Sequence, residues 1–229
     1  MDTTTTQQAE ANDVYSVFWI VKRNGGPSQR EQGAATDELR ALLCAQSNVQ
    51  LRGAYSLAGL RADADAIFWL YGNDLDALQS SWLALYQTCF GRYLRPINIY
   101  LGLATPSQYV ADHVPALLRD VPPRRYLSVY PFVKTHEWYL LPYEERQRLM
   151  RQHGELGREY PGILTNTISS FGLGDQEFVV AIEGDDPAEI MRMMRQLRSA
   201  EVREYTAYDT PIYLGRRLGL NELVAQVAT

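Results

Sequence analysis

The first long apolar run, VYSVFWIVKR at residues 14–23, has the β-branched and aromatic density of a strand. From Gln29 to Gln46 the apolar positions take helical spacing. Two strands follow, VQLRGAYSLAGL (49–60) and AIFWLYG (66–72), joined by the polar turn RADAD. The stretch DLDALQSSWLALYQTCFGRY (74–93) starts on an Asp cap and reads as a helix, and INIYLGLA (97–104) reads as a strand. The order β-α-β-β-α-β is that of a ferredoxin-like unit.

After a connector, TPSQYVADHVPALLRDVPPRR (105–125), the same order begins again. A strand over YLSVYPFV (126–133) precedes a helix over 143–160. Strands over 163–171 and 177–184 flank the turn GLGD, a helix over 186–202 opens on Asp, and TAYDTPIYLG (206–215) closes the series. The pattern predicts an α+β protein of two ferredoxin-like halves, 13–104 and 126–218. Their sheets either pack face to face or close into a barrel. Residues 1–12, MDTTTTQQAEAN, are polar and predict a disordered N-terminus.

Composition narrows the function. The 229 residues are 46% hydrophobic, enough for one large core or two small ones. A net charge of -5 without a dense Lys/Arg block argues against a nucleic-acid surface, so an anionic ligand needs a local basic cluster. The first twelve residues lack the basic start and apolar run of a signal peptide, and no stretch approaches the roughly 20 apolar residues of a membrane span. A cytoplasmic location is expected. Cys44 and Cys89 lie in helix-like apolar patterns and read as small core residues, with no disulfide framework. The G-x-G-x-x-G, G-x-x-x-x-G-K-[ST], H-E-x-x-H and G-x-S-x-G motifs are absent. Asp185 and Asp186 sit where a helix wants an N-cap.

Only three histidines remain as candidates for chemistry: His113, His136 and His153. On the helix from Tyr143, the positions Leu149, His153, Leu156 and Tyr160 recur at spacings of four, three and four, so His153 faces inward. It is either a core histidine bonded to a carbonyl or an axial metal ligand. Gly154 and Gly157 weaken the helix yet strip side chains from its surface beside His153, which suits a flat porphyrin. No C-x-x-C-H sequence is present, so such a haem would be held non-covalently.

The stretch YPFVKTHEWYLLPYEERQRLMRQHGELGREYPGILTNTISSFGLGDQEFVVAIEGDDP (130–187) resembles the signature region of coproheme decarboxylases, in the chlorite dismutase-like superfamily. The YPF strand, the WYLLP-x-EER start of a helix and the HG near its end carry the likeness. It implies a dimeric α+β barrel, typically a homopentamer, with the porphyrin in the C-terminal half. His153 matches the family's proximal iron ligand. Tyr130, by strand alternation merely a half-buried strand residue, matches the tyrosine that forms a radical and takes a hydrogen from the departing propionate. His113, otherwise a solvated loop histidine, matches the distal base of one subgroup, and its ordinary pKa near 6.5 suits proton transfer from peroxide.

Asn166 lies where chlorite dismutases carry a distal arginine, which argues against chlorite chemistry and agrees with the distal-histidine subgroup. Lys134 replaces a more usual arginine and can pair with a propionate only as a point charge. Arg158, Arg198 and Arg203 match pocket-side positions, Arg124 and Arg125 are secondary candidates, and His136 matches no role and reads as surface. The implied reaction starts from iron-coproporphyrin III, as both cofactor and substrate, and hydrogen peroxide. Two decarboxylations yield haem b, with a ferrochelatase as a transient partner supplying the substrate. Other readings are a haem peroxidase or chlorite dismutase, a non-catalytic haem-binding protein, and a metal-free barrel on the same fold.

Overall fold

In the computed structural model, which describes residues 13–44, 48–109, 114–119 and 121–228, the run at 14–23 forms β1 (Val14–Arg23). Both of its faces are apolar. Phe18 and Ile20 point to one side, and Val17, Trp19 and Val21 to the other, so the strand takes a central place with cover on each side. The chain continues through α1 (Gln32–Cys44), β2 (Val49–Ser56), β3 (Ala66–Gly72), α2 (Leu75–Leu85) and β4 (Leu94–Ala104). The second series is β5 (Tyr126–Lys134), α3 (His136–Leu140), α4 (Tyr143–Arg158), β6 (Leu164–Ser169), β7 (Phe178–Gly184), α5 (Pro187–Leu197), β8 (Thr206–Tyr208), β9 (Tyr213–Leu218) and α6 (Leu220–Ala228).

The strands are ordered β7-β6-β4-β1-β3-β2-β9-β5-β8, and β7 also pairs with β5. The sheet therefore closes into an antiparallel barrel from which only β8 stands apart, which settles the alternative of two stacked sheets. Within each half the central pair is the first and third strand, as the ferredoxin-like order requires. The halves join where Leu103 and Ala104 meet Ser169 and Ile168, and where β2 meets β9. Inside the barrel Phe18, Ile20, Ile67 and Trp69 of the first half pack against Leu127, Val129, Ile168 and Val179 of the second.

One polar network crosses this interior. Arg52 donates to Glu183 at 2.8 Å, with side chains 5% and 0% exposed. Asn166 Nδ2 donates to the same carboxylate at 3.2 Å. Both ends of the network also hold the connector: Arg52 donates to the Val121 carbonyl, Leu117 N–H to Asn166 Oδ1, and Arg124 N–H to Glu183. Charges this deep persist only when paired and hydrogen-bonded.

Outside the barrel the halves differ. The first half covers its outer face with α1, α2 and α6, through Leu39, Leu43, Leu78, Leu85, Leu223 and Val224. In the second half α5 lies on β7, whereas α4 packs chiefly on α5 and on the 3-10 turn Glu201–Tyr205 rather than on a strand.

Several boundaries move. The strand expected over 49–60 ends at Ser56, where Leu57 begins a turn. The helix over 74–93 stops at Leu85, and a turn with Thr88 Oγ1 accepting from Gly91 N–H replaces its end. The strand over 206–215 is two strands, because Asp209 and Pro211 interrupt it and proline has no N–H for the ladder. Likewise the helix over 186–202 ends at Leu197. Two helices, α3 and α6, were not expected. Cys44 is exposed and so is not the core residue that the pattern suggested, whereas half-buried Cys89 packs against the core of the first half; both are free. The stretch 1–12, expected to be disordered, lies outside the described residues.

Candidate functional site

Strand β5 supplies the centre of the site. Alternation sends Leu127 and Val129 into the barrel and Tyr130 to the outer face, beside Val180, Ile182 and α5. Tyr130 is 6% exposed, and its hydroxyl donates to Met194 Sδ at 3.7 Å. Burial, and to a lesser degree the Asp209 carboxylate, pushes the phenol's pKa well above the ordinary range, with Arg198 and Arg203 opposing.

Three cations surround this face. Arg198 caps the end of α5, one turn beyond Met194, and Arg203 lies in the 3-10 turn that follows. Arg203 donates to Oδ2 of buried Asp209 at 2.9 Å, and Arg198 forms an ion pair with the same oxygen at 2.8 Å. Lys134 ends β5 with Nζ 4.2 Å from the Trp138 ring centre and 5.2 Å from that of Phe132. Desolvation among these rings lowers its pKa to about 8; Glu177, which accepts the Lys134 N–H, works in the opposite direction.

Helix α4 presents the stripe read from its sequence. Leu149 and Leu156 join the cluster around Trp138 and Val202, and Tyr160 joins the cluster around Tyr130. His153, half-buried with Nδ1 shielded from solvent, falls between the two on that stripe. A Cβ added at Gly154 or Gly157 would meet no atom within 4 Å. The flank of α4 beside His153 is thus open, and two helix-weakening glycines sit where no neighbouring atom calls for them. These residues fit a porphyrin: an inward imidazole, a flank free of side chains, apolar walls, and cations for carboxylates.

Tyr130, Lys134, Arg198 and Arg203 come together, and His153 lies on the helix packed beside them. The remaining candidates do not join them. Arg158, five residues beyond His153, is rotated about 140° from it on a 3.6-residue helix and is exposed at the end of α4. Asn166 occupies the barrel interior on the opposite face of the sheet from Tyr130, fully buried and bonded at both ends. The Arg124 side chain pairs with Asp185, which also accepts the Arg125 N–H; the Arg125 guanidinium lies over the Tyr126 ring, and Asp186 caps α5. His136 is exposed at the start of α3, and His113 lies outside the described residues. Sequence reasoning missed Met194, Glu177, Trp138 and Asp209. The last had a signal, since an Asp-Thr-Pro step inside a supposed strand marks a break.

Among the described residues no helix is long and apolar enough to cross a membrane. The chain matches the family described as chlorite dismutase over residues 32–218. It is 36% identical over 217 residues to a coproheme decarboxylase of Mycolicibacterium smegmatis, covering 93% of each chain. It is 32% identical over 163 residues to one from Staphylococcus carnosus, covering 64% of this chain and 65% of that one. A solved variant of chlorite dismutase from Candidatus Nitrospira defluvii superposes with a TM-score of 0.84 over 94% of this chain and 96% of that one. At 23% identity, that likeness is one of fold.

Proposed function

The chain belongs to the chlorite dismutase family, and from that membership we propose that it is a coproheme decarboxylase, converting iron-coproporphyrin III to haem b with hydrogen peroxide. The observation that carries the reading is the gathering of a buried phenol, Tyr130, with Lys134, Arg198 and Arg203, beside a helix that offers His153 and an open glycine flank.

Each residue then has a physical task. His153 would hold the iron through a ring nitrogen. The two arginines and Lys134 bind and orient propionates, and the half-buried pair among them, Arg203 and Lys134, is worth more than cations in open water. Tyr130, closed off by Ile163, Ile182 and Met193, keeps its proton at neutral pH because the apolar wall disfavours a bare phenolate. It would give up a hydrogen atom and regain one from the propionate, which loses carbon dioxide to leave a vinyl group while one peroxide per propionate is reduced to water. His113 is the proposed base that takes the proton from peroxide. Asn166 and Arg52 hold the connector on which His113 lies in the sequence. The iron porphyrin, when bound, supplies the oxidising power. A homopentameric assembly, a cytoplasmic location and delivery of substrate by a ferrochelatase complete the reading and rest on the resemblance.

The test is titration of the purified protein with ferric coproheme, followed by peroxide and mass spectrometry of the extracted macrocycle. Loss of two carboxyl groups per porphyrin is expected. Unchanged coproheme, or bleached pigment alone, would refute the assignment.

A further inference from the structure

We propose that Asp209 is a positioning residue, whose buried carboxylate brackets Arg198 and Arg203 into one clamp for a single substrate carboxylate beside the Tyr130 hydroxyl. The inference rests on the porphyrin reading above and adds to it the group that orders the cations. Both guanidinium groups reach the same oxygen, Oδ2, at 2.8 and 2.9 Å. The Asp209 side chain is 11% exposed, against 42% for Arg198 and 32% for Arg203. The acid thus lies beneath and the cations above it, toward solvent. A guanidinium carries five N–H donors, and Asp209 engages one nitrogen of each, which leaves outward donors for a ligand.

The bracket also ties three segments to the strand that carries Tyr130. Arg198 ends α5, Arg203 belongs to the 3-10 turn, and Asp209 directly follows β8, which pairs with the end of β5 at Val133 and Lys134. Without the carboxylate, two neighbouring guanidinium groups repel each other and regain rotamer freedom toward water. An oriented pair beside a phenol selects a carboxylate borne on a flat, apolar body that the walls of Ile163, Val180 and Leu197 can accept.

The experiment compares the affinities of metal-free coproporphyrin and its tetramethyl ester, read by porphyrin fluorescence, so that the ratio isolates carboxylate recognition from ring binding. Asp209→Glu keeps the charge and displaces it by one methylene; Asp209→Asn keeps the shape and removes the charge. Both variants should lose about tenfold of the wild-type preference for the free acid, the scale of leaving two long side chains to be ordered by the ligand. Removing a negative charge by itself favours an anion, but the guanidinium groups that would receive the ligand stand toward solvent, where the effect is screened to a smaller factor. A preference unchanged or raised in both variants overturns the proposal, as does an equal loss for both porphyrins, which is the mark of a packing defect. The isosteric Asn variant decides the question if the longer acid fails to fold. A wild-type protein that binds neither porphyrin removes the functional reading itself, whereas normal binding with an unaltered ratio in the variants removes only the role of Asp209.

Discussion

A phenol enclosed among isoleucines and methionines holds its proton far more tightly than one in water. Tyr130→Phe keeps the ring that fills this wall and removes only the O–H, so the variant should bind coproheme within about threefold of wild type, a loss of well under 1 kcal/mol. Its decarboxylation, followed by mass spectrometry of the porphyrin, should be absent; substantial haem b from the variant would remove Tyr130 from the reaction. Lys134 permits a prediction in pH. Its pKa falls from the usual lysine value to about 8 through desolvation, so the ammonium is present below that value and lost above it. Affinity for coproporphyrin should therefore decline as pH rises from 7 to 9, and Lys134→Met should flatten that step. Stability responds with the opposite sign. The unfolded lysine binds its proton more readily than the folded one, so this group's penalty is full below about 8 and fades toward the unfolded value of about 10.4. Thermal melts of wild type and Lys134→Met across that window check the sign.

Among the elements, α4 is the one whose sequence serves something other than its own stability. Each interior glycine weakens a helix by about 1 kcal/mol relative to alanine, and neither Gly154 nor Gly157 has a neighbour within 4 Å of the added Cβ position. Gly154→Ala should accordingly raise stability by about 0.5–1 kcal/mol in urea denaturation. Gly157→Leu fills the open flank one turn from His153. It should fold at least as well as wild type and bind coproheme at least tenfold more weakly. Undiminished binding would place the porphyrin away from this flank. The first half offers the contrast, since there α1, α2 and α6 cover the sheet with a continuous apolar cluster.

At the scale of the whole molecule, the barrel is closed by strand pairing and cross-braced by Arg52 and Glu183, which come from different halves. Arg52→Leu leaves the fully buried Glu183 carboxylate without its cation, which should destabilise the fold by about 3–5 kcal/mol. The same network holds backbone groups at Leu117, Val121 and Arg124. Amide exchange in residues 114–125 should therefore rise in Arg52→Leu before it rises in the barrel strands. Simultaneous loss of protection in connector and strands would show that the pair braces the barrel alone.

Local chemistry determined a large part of this. Periodicity located the long strands and helices of both halves, because their apolar positions repeat at 2 or 3.6 residues, though not α3, α6 or the break between β8 and β9. It turned His153 inward, because a helix fixes which side chains share a face. Closure into a barrel rather than a stack was open to periodicity alone, since both architectures bury the same alternating faces; the β4–β6 and β2–β9 pairings, which join the halves at both edges, decided it. The placement of Asn166 was decided the same way. Its position in the chain suggested a site residue, but alternation and register put it inside the barrel, where Glu183 and the connector claim its amide. Helix α6 has an apolar face at Leu220, Leu223, Val224 and Val227, legible at helical spacing, although its partners on α1 and β2 lie far away in the chain. The meeting of Asp209 with Arg198 and Arg203 near Tyr130 is likewise tertiary. An ion pair has no periodicity and leaves no mark in sequence beyond the residue types themselves, so only the fold brings those charges within hydrogen-bond reach.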